Sequence, residues 1–352
     1  MLPRPEPSAG IAAYDLERSL CLAADSRRAD NWARYQAARG KHLIAPDYLP
    51  VKLDVENVSR CNFKCTMCAV ALWKNGKRAE DMSLECFKAL IDEQYGLVEI
   101  KLNGLGEALM QGEDYFEMIR YARERRIWVR MTTNASLLHL KDNYRKLVDS
   151  GVNEIDISID GADAATFEKI RVGGDFERVC ANAKLLNDYL AAQGKASAKC
   201  WTLVQKANVW KLYDHIVLAK NLGFSQMVFS MQMHGWGSDK LAIRNADEMA
   251  SITVDRCETL VDRGLKWGVR VCFWDVNAKF DAENLCPWPF ERAVVTSDSR
   301  TVPCCMVGTP EAFELGKGLT FMDAWQGDEY RAFRTAHITG NIPSICKACY
   351  RA

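Results

Sequence analysis

The stretch Cys61-Asn-Phe-Lys-Cys65-Thr-Met-Cys68 directly follows a short apolar segment, Val51 to Val58, and sets three thiols within eight residues at the spacing CxxxCxxC. Thiolates are soft ligands that select iron–sulfur clusters, zinc or copper(I). Three protein ligands on a tetrahedral-type centre leave one position open, and an open position is where chemistry takes place. The plainer alternatives are a zinc knob or a group of buried cysteines. Zinc sites pair a CxxC with a second CxxC or with His, and no His lies near this stretch. The spacing favours an open cluster.

Outward from this loop a strand–helix rhythm runs down the chain. Apolar runs of strand length recur at Val51–Val58, Leu97–Leu105, Ile127–Asn134, Glu154–Asp160, Ala198–Val204 and Met227–Met233, with helix-period segments such as Ser83–Gln94 and Phe176–Ala192 between them. Strands alternating with helices of this length predict parallel βαβ units. Six units are counted, so the expected fold is α/β, a partial (β/α)6 TIM-like barrel. In such barrels chemistry sits at the carboxyl ends of the strands. The cysteine loop follows the first run, Asn103-Gly-Leu-Gly-Glu107 the second and Thr133-Asn134 the third, while Ser158-Ile-Asp160-Gly161 ends the fourth and His234-Gly-Trp236 follows the sixth.

In this register the cysteine triplet resembles the motif of the radical S-adenosylmethionine (SAM) enzymes, which share a partial six-stranded barrel. The resemblance implies that Cys61, Cys65 and Cys68 hold a [4Fe–4S] cluster whose fourth iron is chelated by SAM. Phe63 and Met67, the latter just before the last Cys, are counted with the SAM site. Gly104-Leu-Gly106-Glu107 is similar to the family's Gly-Gly-Glu element, which contacts the amino group of SAM; Leu105 replaces the first matched glycine and Ala108 the usual Pro. Thr133-Asn134 resembles a Thr-Asn-Gly strand end, with Ala135 in place of Gly. Ser158 and Asn134 are then SAM contacts, and Arg171 the partner of its carboxylate, to which a guanidinium offers a bidentate fork.

Past Gly264 the rhythm stops. Val269–Trp274, Cys286-Pro-Trp-Pro-Phe, a hairpin from Ala293 to Cys305, a helix around Phe321–Ala336 and Cys346-Lys-Ala-Cys349 follow. Four cysteines from separate segments can converge on a closed tetrathiolate site, and on spacing alone zinc and a second iron–sulfur cluster both fit. The region resembles the SPASM or "twitch" extension of radical SAM enzymes, a small β-hairpin/helix cluster-binding domain. That implies one auxiliary [4Fe–4S] cluster on Cys286, Cys304, Cys346 and Cys349, with Cys304 preferred to Cys305. A full SPASM domain needs further cysteines after the CxxC, so the twitch arrangement is expected. The expected domains are 1–50, a helical extension that is either a cap on the barrel base or a partner-binding arm, 51–268, the barrel, and 269–352, the auxiliary domain.

The chain has 352 residues, 48% of them hydrophobic and 26% charged, with Lys+Arg and Asp+Glu equal at 46. That is a globular composition with no overall field for nucleic acid or an anionic membrane. No apolar run reaches the roughly 18 residues of a membrane span, and the Pro-rich N-terminus lacks the shape of a secretion signal. Fourteen cysteines grouped at tight spacings suit metal binding in a reducing cytoplasm better than a disulfide framework.

By resemblance, an external electron donor of the flavodoxin or ferredoxin type charges the first cluster, and SAM yields a 5′-deoxyadenosyl radical that takes hydrogen from a substrate C–H. The expected outcome is two-electron oxidation of a small polar substrate, such as a sugar or aminocyclitol, with the auxiliary cluster as electron acceptor. The alternatives are epimerisation, with Cys200, Cys272 or Cys305 returning hydrogen, and peptide modification. A non-catalytic iron–sulfur or zinc regulator would keep the cysteines and need none of Glu107, Asn134, Ser158 and Arg171. His234, Trp236 and Trp288 are candidate pocket residues, each with a packing role as its alternative.

Overall fold

The computed structural model describes residues 2–274, 279–317 and 321–351. Seven strands alternate with helices: β1 (Lys52–Val55), β2 (Glu99–Leu102), β3 (Trp128–Thr133), β4 (Glu154–Ser158), β5 (Lys199–Leu203), β6 (Gln226–Ser230) and β7 (Arg270–Trp274). Each lies parallel to the next in chain order. The six expected units are present, and the run assigned to the C-terminal region extends them as β7.

The chain then crosses to the other edge. There β8 (Arg292–Val295) pairs parallel with β1, and β9 (Arg300–Val302) and β10 (Gly316–Lys317) follow antiparallel. Among the described residues the order is β10-β9-β8-β1-β2-β3-β4-β5-β6-β7, so β7 meets no further strand and the barrel stays open.

Local chemistry fixes the helix starts. Ser83, Asp175 and Thr253 each cap the first turn of the helix that follows, accepting a backbone N–H three residues on. Within the strands, side chains alternate between faces. Leu53 and Val55, Ile100 and Leu102, and Ile155 and Ile157 turn outward and are buried, each worth about 1.5–3 kcal/mol of burial. The residues between them turn inward and are charged or polar: Asp54, Glu99, Lys101, Arg130, Glu154, Asp156 and Lys199. Glu99 pairs with Lys52 at 3.0 Å and Arg130 at 3.6 Å, and Lys199 pairs with Glu154 and, at 3.6 Å, with Asp156. The interior of this barrel is a lattice of ion pairs.

The N-terminal segment closes the base. Phe273 N–H donates to the Pro3 carbonyl at 2.8 Å, Lys199 Nζ and Gln226 Nε2 donate to the Glu6 carbonyl, Glu6 pairs with Arg270, and Tyr14 Oη donates to Glu99 at 2.7 Å. These contacts hold Pro3, Glu6 and Tyr14 against the sheet. The following segment binds the C-terminal region: Tyr35 Oη donates to Glu291, Tyr48 Oη to the Phe290 carbonyl, and Trp325 Nε1 to the Tyr48 carbonyl.

Candidate active site

The carboxyl ends of the strands surround a chamber of about 340 Å³. Cys61, Cys65 and Cys68 lie on its wall, together with Phe63, Met67, Gly104, Gly106, Glu107, Asn134, Ser158 and Arg171. Residues separated by more than a hundred positions thus meet in one cavity.

The cysteine loop is held from several sides. Lys64 N–H donates to the Val172 carbonyl and Thr66 N–H to the Ile170 carbonyl, so the loop lies along the end of the helix Ala164–Ile170. Asn134 Nδ2 donates to Asn62 Oδ1 at 3.0 Å and reaches Cys61 Sγ at 3.8 Å. Asn245 Nδ2 and Trp236 Nε1 both donate to the Met67 carbonyl, at 3.0 and 3.4 Å. Trp236 lines the chamber and also anchors the loop; Asn245 makes the shorter bond and carries no motif by which the sequence would single it out.

Close approach explains the glycines. A Cβ on Gly106 would stand 2.4 Å from the Val58 carbonyl oxygen, and one on Gly104 would stand 2.3 Å from Glu56 Cγ. Leu105 lies between them, and its departure from the family pattern meets no such barrier. Ala135 takes a φ of 62°, keeping the left-handed turn that a glycine would occupy at a cost of about 1–2 kcal/mol.

Glu107 is fully engaged. Its Oε1 accepts Thr133 Oγ1 at 2.7 Å and Leu109 N–H at 3.4 Å, and its Oε2 accepts Asn134 N–H at 2.8 Å. Burial raises the carboxyl above its usual range, and these donors oppose the rise. Glu107 is therefore a brace between two strand ends. Arg171 Nε donates to Asp160 at 2.7 Å, and the residue lines the chamber.

The triplet thiols resist ionisation while metal-free. Burial, then the charges of Glu107 and the other two cysteines, push Cys61 up to about 12, and burial with Cys68 takes Cys65 to about 11. In the C-terminal region burial takes Cys286 and Cys346 to about 12, with Cys346 and Cys349 adding to Cys286, and burial raises Cys304, with Cys305, then Cys346 and Cys286, adding to the rise. Buried thiols that repel one another once ionised suit a cationic centre, which would relieve both penalties. Among the described residues, no three His, Cys, Asp or Glu side chains draw in tightly enough for a single metal ion.

Cys305 parts company with Cys304. It faces the chamber, and after burial the charge it feels most is that of Asp54. Cys200 is buried on the outward face of β5, and Cys272 sits near the base, 3.8 Å from Gln226; neither lines the chamber. His234 lines it, its imidazole lowered to about 4 by burial and the charge of Lys279. Trp288 does not: it packs beside Cys304, Cys305 and Val294, with Arg292 over its ring at 4.9 Å. Sequence reasoning missed Asp54, Glu56, Lys101, Trp201 and Trp274 on the wall. The alternation of charged with apolar residues inside the strand runs was the available signal.

Residues 58–192 match the family model of the radical SAM superfamily, and residues 286–350 match that of SPASM, an iron–sulfur cluster-binding domain. The chain belongs to the radical SAM superfamily and carries a SPASM-type domain. Its cofactors are accordingly SAM, a SAM-binding [4Fe–4S] cluster and auxiliary iron–sulfur.

Among curated relatives, it is 30% identical over 192 residues to the mycofactocin maturase MftC of Mycobacterium ulcerans, covering 54% of this chain and 50% of that one. It is also 30% identical over 209 residues to the AdoMet-dependent heme synthase of Methanosarcina barkeri, covering 58% and 57%. The matches thus span little more than half of these relatives' length. Among solved structures, SuiB of Streptococcus suis bound to its precursor peptide SuiA superposes with a TM-score of 0.64 at 13% identity, over 86% of this chain and 70% of that one. Among the described residues no helix is long and apolar enough to cross a membrane.

Proposed function

We propose that this protein is a radical SAM oxidoreductase that removes two electrons and two protons from a small polar substrate such as a sugar or aminocyclitol. The observation that carries the reading is the course of the chamber: Cys61, Cys65 and Cys68 form one part of its wall, and Cys305, next in sequence to Cys304, forms another. A substrate between them lies between the triplet and the segment that carries Cys304.

In this reading Cys61, Cys65 and Cys68 hold the SAM-binding cluster, and Cys286, Cys304, Cys346 and Cys349 the auxiliary one. When bound, SAM and its cluster supply a radical that takes hydrogen from carbon, and the auxiliary cluster supplies an electron acceptor. The chain's residues bind and orient. Arg171 offers its free guanidinium nitrogens to SAM's carboxylate, Asn134 and Ser158 line the same site, and Glu107 holds the strand ends in place. The N-terminal cap closes the base against water, which preserves a reactive intermediate. An external one-electron donor and a reducing compartment belong to this reading.

Anaerobic incubation of the cluster-loaded protein with SAM, dithionite and a pool of polar metabolites tests it. The expected products are 5′-deoxyadenosine and a compound two hydrogens lighter than its precursor. A product of unchanged mass and inverted stereochemistry would overturn oxidation in favour of epimerisation. That second reading has its own support: of the three candidate thiols, Cys305 is the one on the chamber wall. Peptide modification is supported by the names of MftC and of peptide-bound SuiB, and a peptide precursor losing two hydrogens would establish it.

A further inference from the structure

Three polar groups in one corner of the chamber have no partner that the fold supplies. Glu56, 1% exposed, gives Oε2 to Arg78 at 2.6 Å and to Ser297 N–H at 3.2 Å, while its Oε1 is buried with no hydrogen-bond partner among the described residues. Asp54, 7% exposed and two residues earlier on the same strand face, makes no hydrogen bond or ion pair among the described residues. Lys101 stands directly opposite Asp54 in the β1–β2 register and likewise makes neither. All three line the chamber between Gly104 and Cys305.

A buried carboxylate oxygen left without a donor costs about 1–3 kcal/mol, more for a charged group. Burial indeed holds both carboxyls above their usual range, although Arg78 beside Glu56 and Lys101, Arg292 and Arg130 around Asp54 oppose the rise. Nearby ion pairs in the same barrel close to 3.0–3.7 Å, yet Asp54 and Lys101, on facing positions, stay beyond the 4 Å of an ion pair. Two acceptors and one ammonium so placed complement a ligand that brings a cationic donor for the carboxylates and an oxygen for the lysine. Trp201 and Trp274, with ring centroids 6.3 Å apart, face the same space from β5 and β7 and offer an apolar wall to the ligand's carbon frame.

We propose that Asp54, Glu56 and Lys101 form the polar anchor of the substrate site and recognise a small amino alcohol, a protonated amine beside a hydroxyl group. The carboxylates of Asp54 and Glu56 accept from the ammonium, and Lys101 donates to the hydroxyl oxygen. The inference rests on the small-polar-substrate reading above and narrows it to amino-bearing polyols. Nothing in the sequence motifs marks these residues; what singles them out is that each is buried or half-buried in the wall, Glu56 with one carboxylate oxygen unused and Asp54 and Lys101 with their side-chain polar ends unused among the described residues.

Binding to the SAM-loaded holoenzyme, followed anaerobically by calorimetry, tests this with matched pairs: glucosamine against glucose, and scyllo-inosamine against scyllo-inositol. Each amine is expected to bind about tenfold tighter than its hydroxyl twin, the ratio set by one charge-assisted hydrogen bond. Asp54→Asn and Glu56→Gln should each reduce that ratio toward one, and Lys101→Met should weaken both members of a pair alike. Equal affinities, no binding by either member, or a ratio that survives both carboxylate substitutions would overturn the anchor. SAM also carries an ammonium, so its affinity is measured in the same variants. A tenfold loss of SAM affinity in Glu56→Gln with the amine preference intact would assign Glu56 to SAM and equally overturn the proposal. Asp54→Asn touches no partner in the fold, so it remains informative if Glu56→Gln, which loosens Arg78, fails to fold. Oxidation is judged by turnover and the anchor by binding alone, so either can fail while the other stands.

Discussion

The two cysteine sets are built in opposite ways. Cys61, Cys65 and Cys68 lie within eight residues on one loop, which neighbouring strand ends and helices hold in place, and all three reach the chamber wall. Cys286, Cys304, Cys346 and Cys349 come from three separated segments, lie close enough for their charges to act on one another, and stay off that wall. A three-thiol set on the wall leaves an open coordination position for a ligand. A four-thiol set behind the wall suits electron exchange without ligand contact. Cys305 is where the two regions meet, a thiol displaced by one residue from the closed set into the open chamber.

Breaking the open set should have the largest effect. In Cys65→Ala, reductive cleavage of SAM, measured as 5′-deoxyadenosine, should fall by at least a factor of about a thousand, since the proposed SAM-binding cluster would lose one of its three thiolates. Cys346→Ala should instead spare much of that cleavage while abolishing net oxidation. Equal losses of 5′-deoxyadenosine in the two variants would erase the distinction between the sets.

A second test addresses the brace behind the open set. Glu107→Gln keeps the volume but turns one acceptor into a donor facing Thr133 Oγ1 or the Asn134 N–H. Losing a buried charge-assisted bond of this kind is worth about 1.5–3 kcal/mol, so SAM affinity by equilibrium dialysis should drop about tenfold or more. Unchanged affinity would show that Glu107 does not set the strand ends for SAM.

The smallest effect comes from a group in neither set and off the chamber wall. His215 is buried, its Nδ1 facing the Lys211 carbonyl and its Nε2 without a partner, and burial lowers its pKa below the ordinary 6.5. The folded state therefore holds it neutral while the unfolded state takes up a proton below about pH 6.5. This contribution to stability is full above that pH and declines as pH falls through 6.5 toward the lower folded value. Unfolding by calorimetry should show that slope flattened in His215→Gln, and an unaltered slope would contradict it.

The sequence made the barrel legible because five of the six strand runs carry a functional group at the carboxyl end, which placed Cys61, Gly106, Glu107, Asn134 and Ser158 at one rim. It showed less of the chamber's interior. Asp54, Lys101, Asp156 and Lys199 sit at alternate positions inside runs that read as apolar, and the alternation identifies an inward face without revealing which charges pair across it. The pairing depends on strand register, which places Lys199 beside Glu154 and leaves Asp54 and Lys101 apart. The run Val269–Trp274 and the hairpin from Ala293 to Cys305 were legible as β7 and β8–β9, but not that they extend the barrel sheet at its two edges, because neither run is followed by a helix that completes a βαβ signature. Asn245 was invisible because a single amide that binds one carbonyl leaves no pattern.

The central claim, two clusters on two separate cysteine sets with Cys305 outside both, is tested most directly by iron and acid-labile sulfide per chain in the anaerobically reconstituted protein. The wild type should hold about eight of each, Cys304→Ala about four, and Cys305→Ala about eight. A wild type with about four, or a Cys305→Ala protein that loses half its iron while Cys304→Ala keeps all of it, would contradict the account.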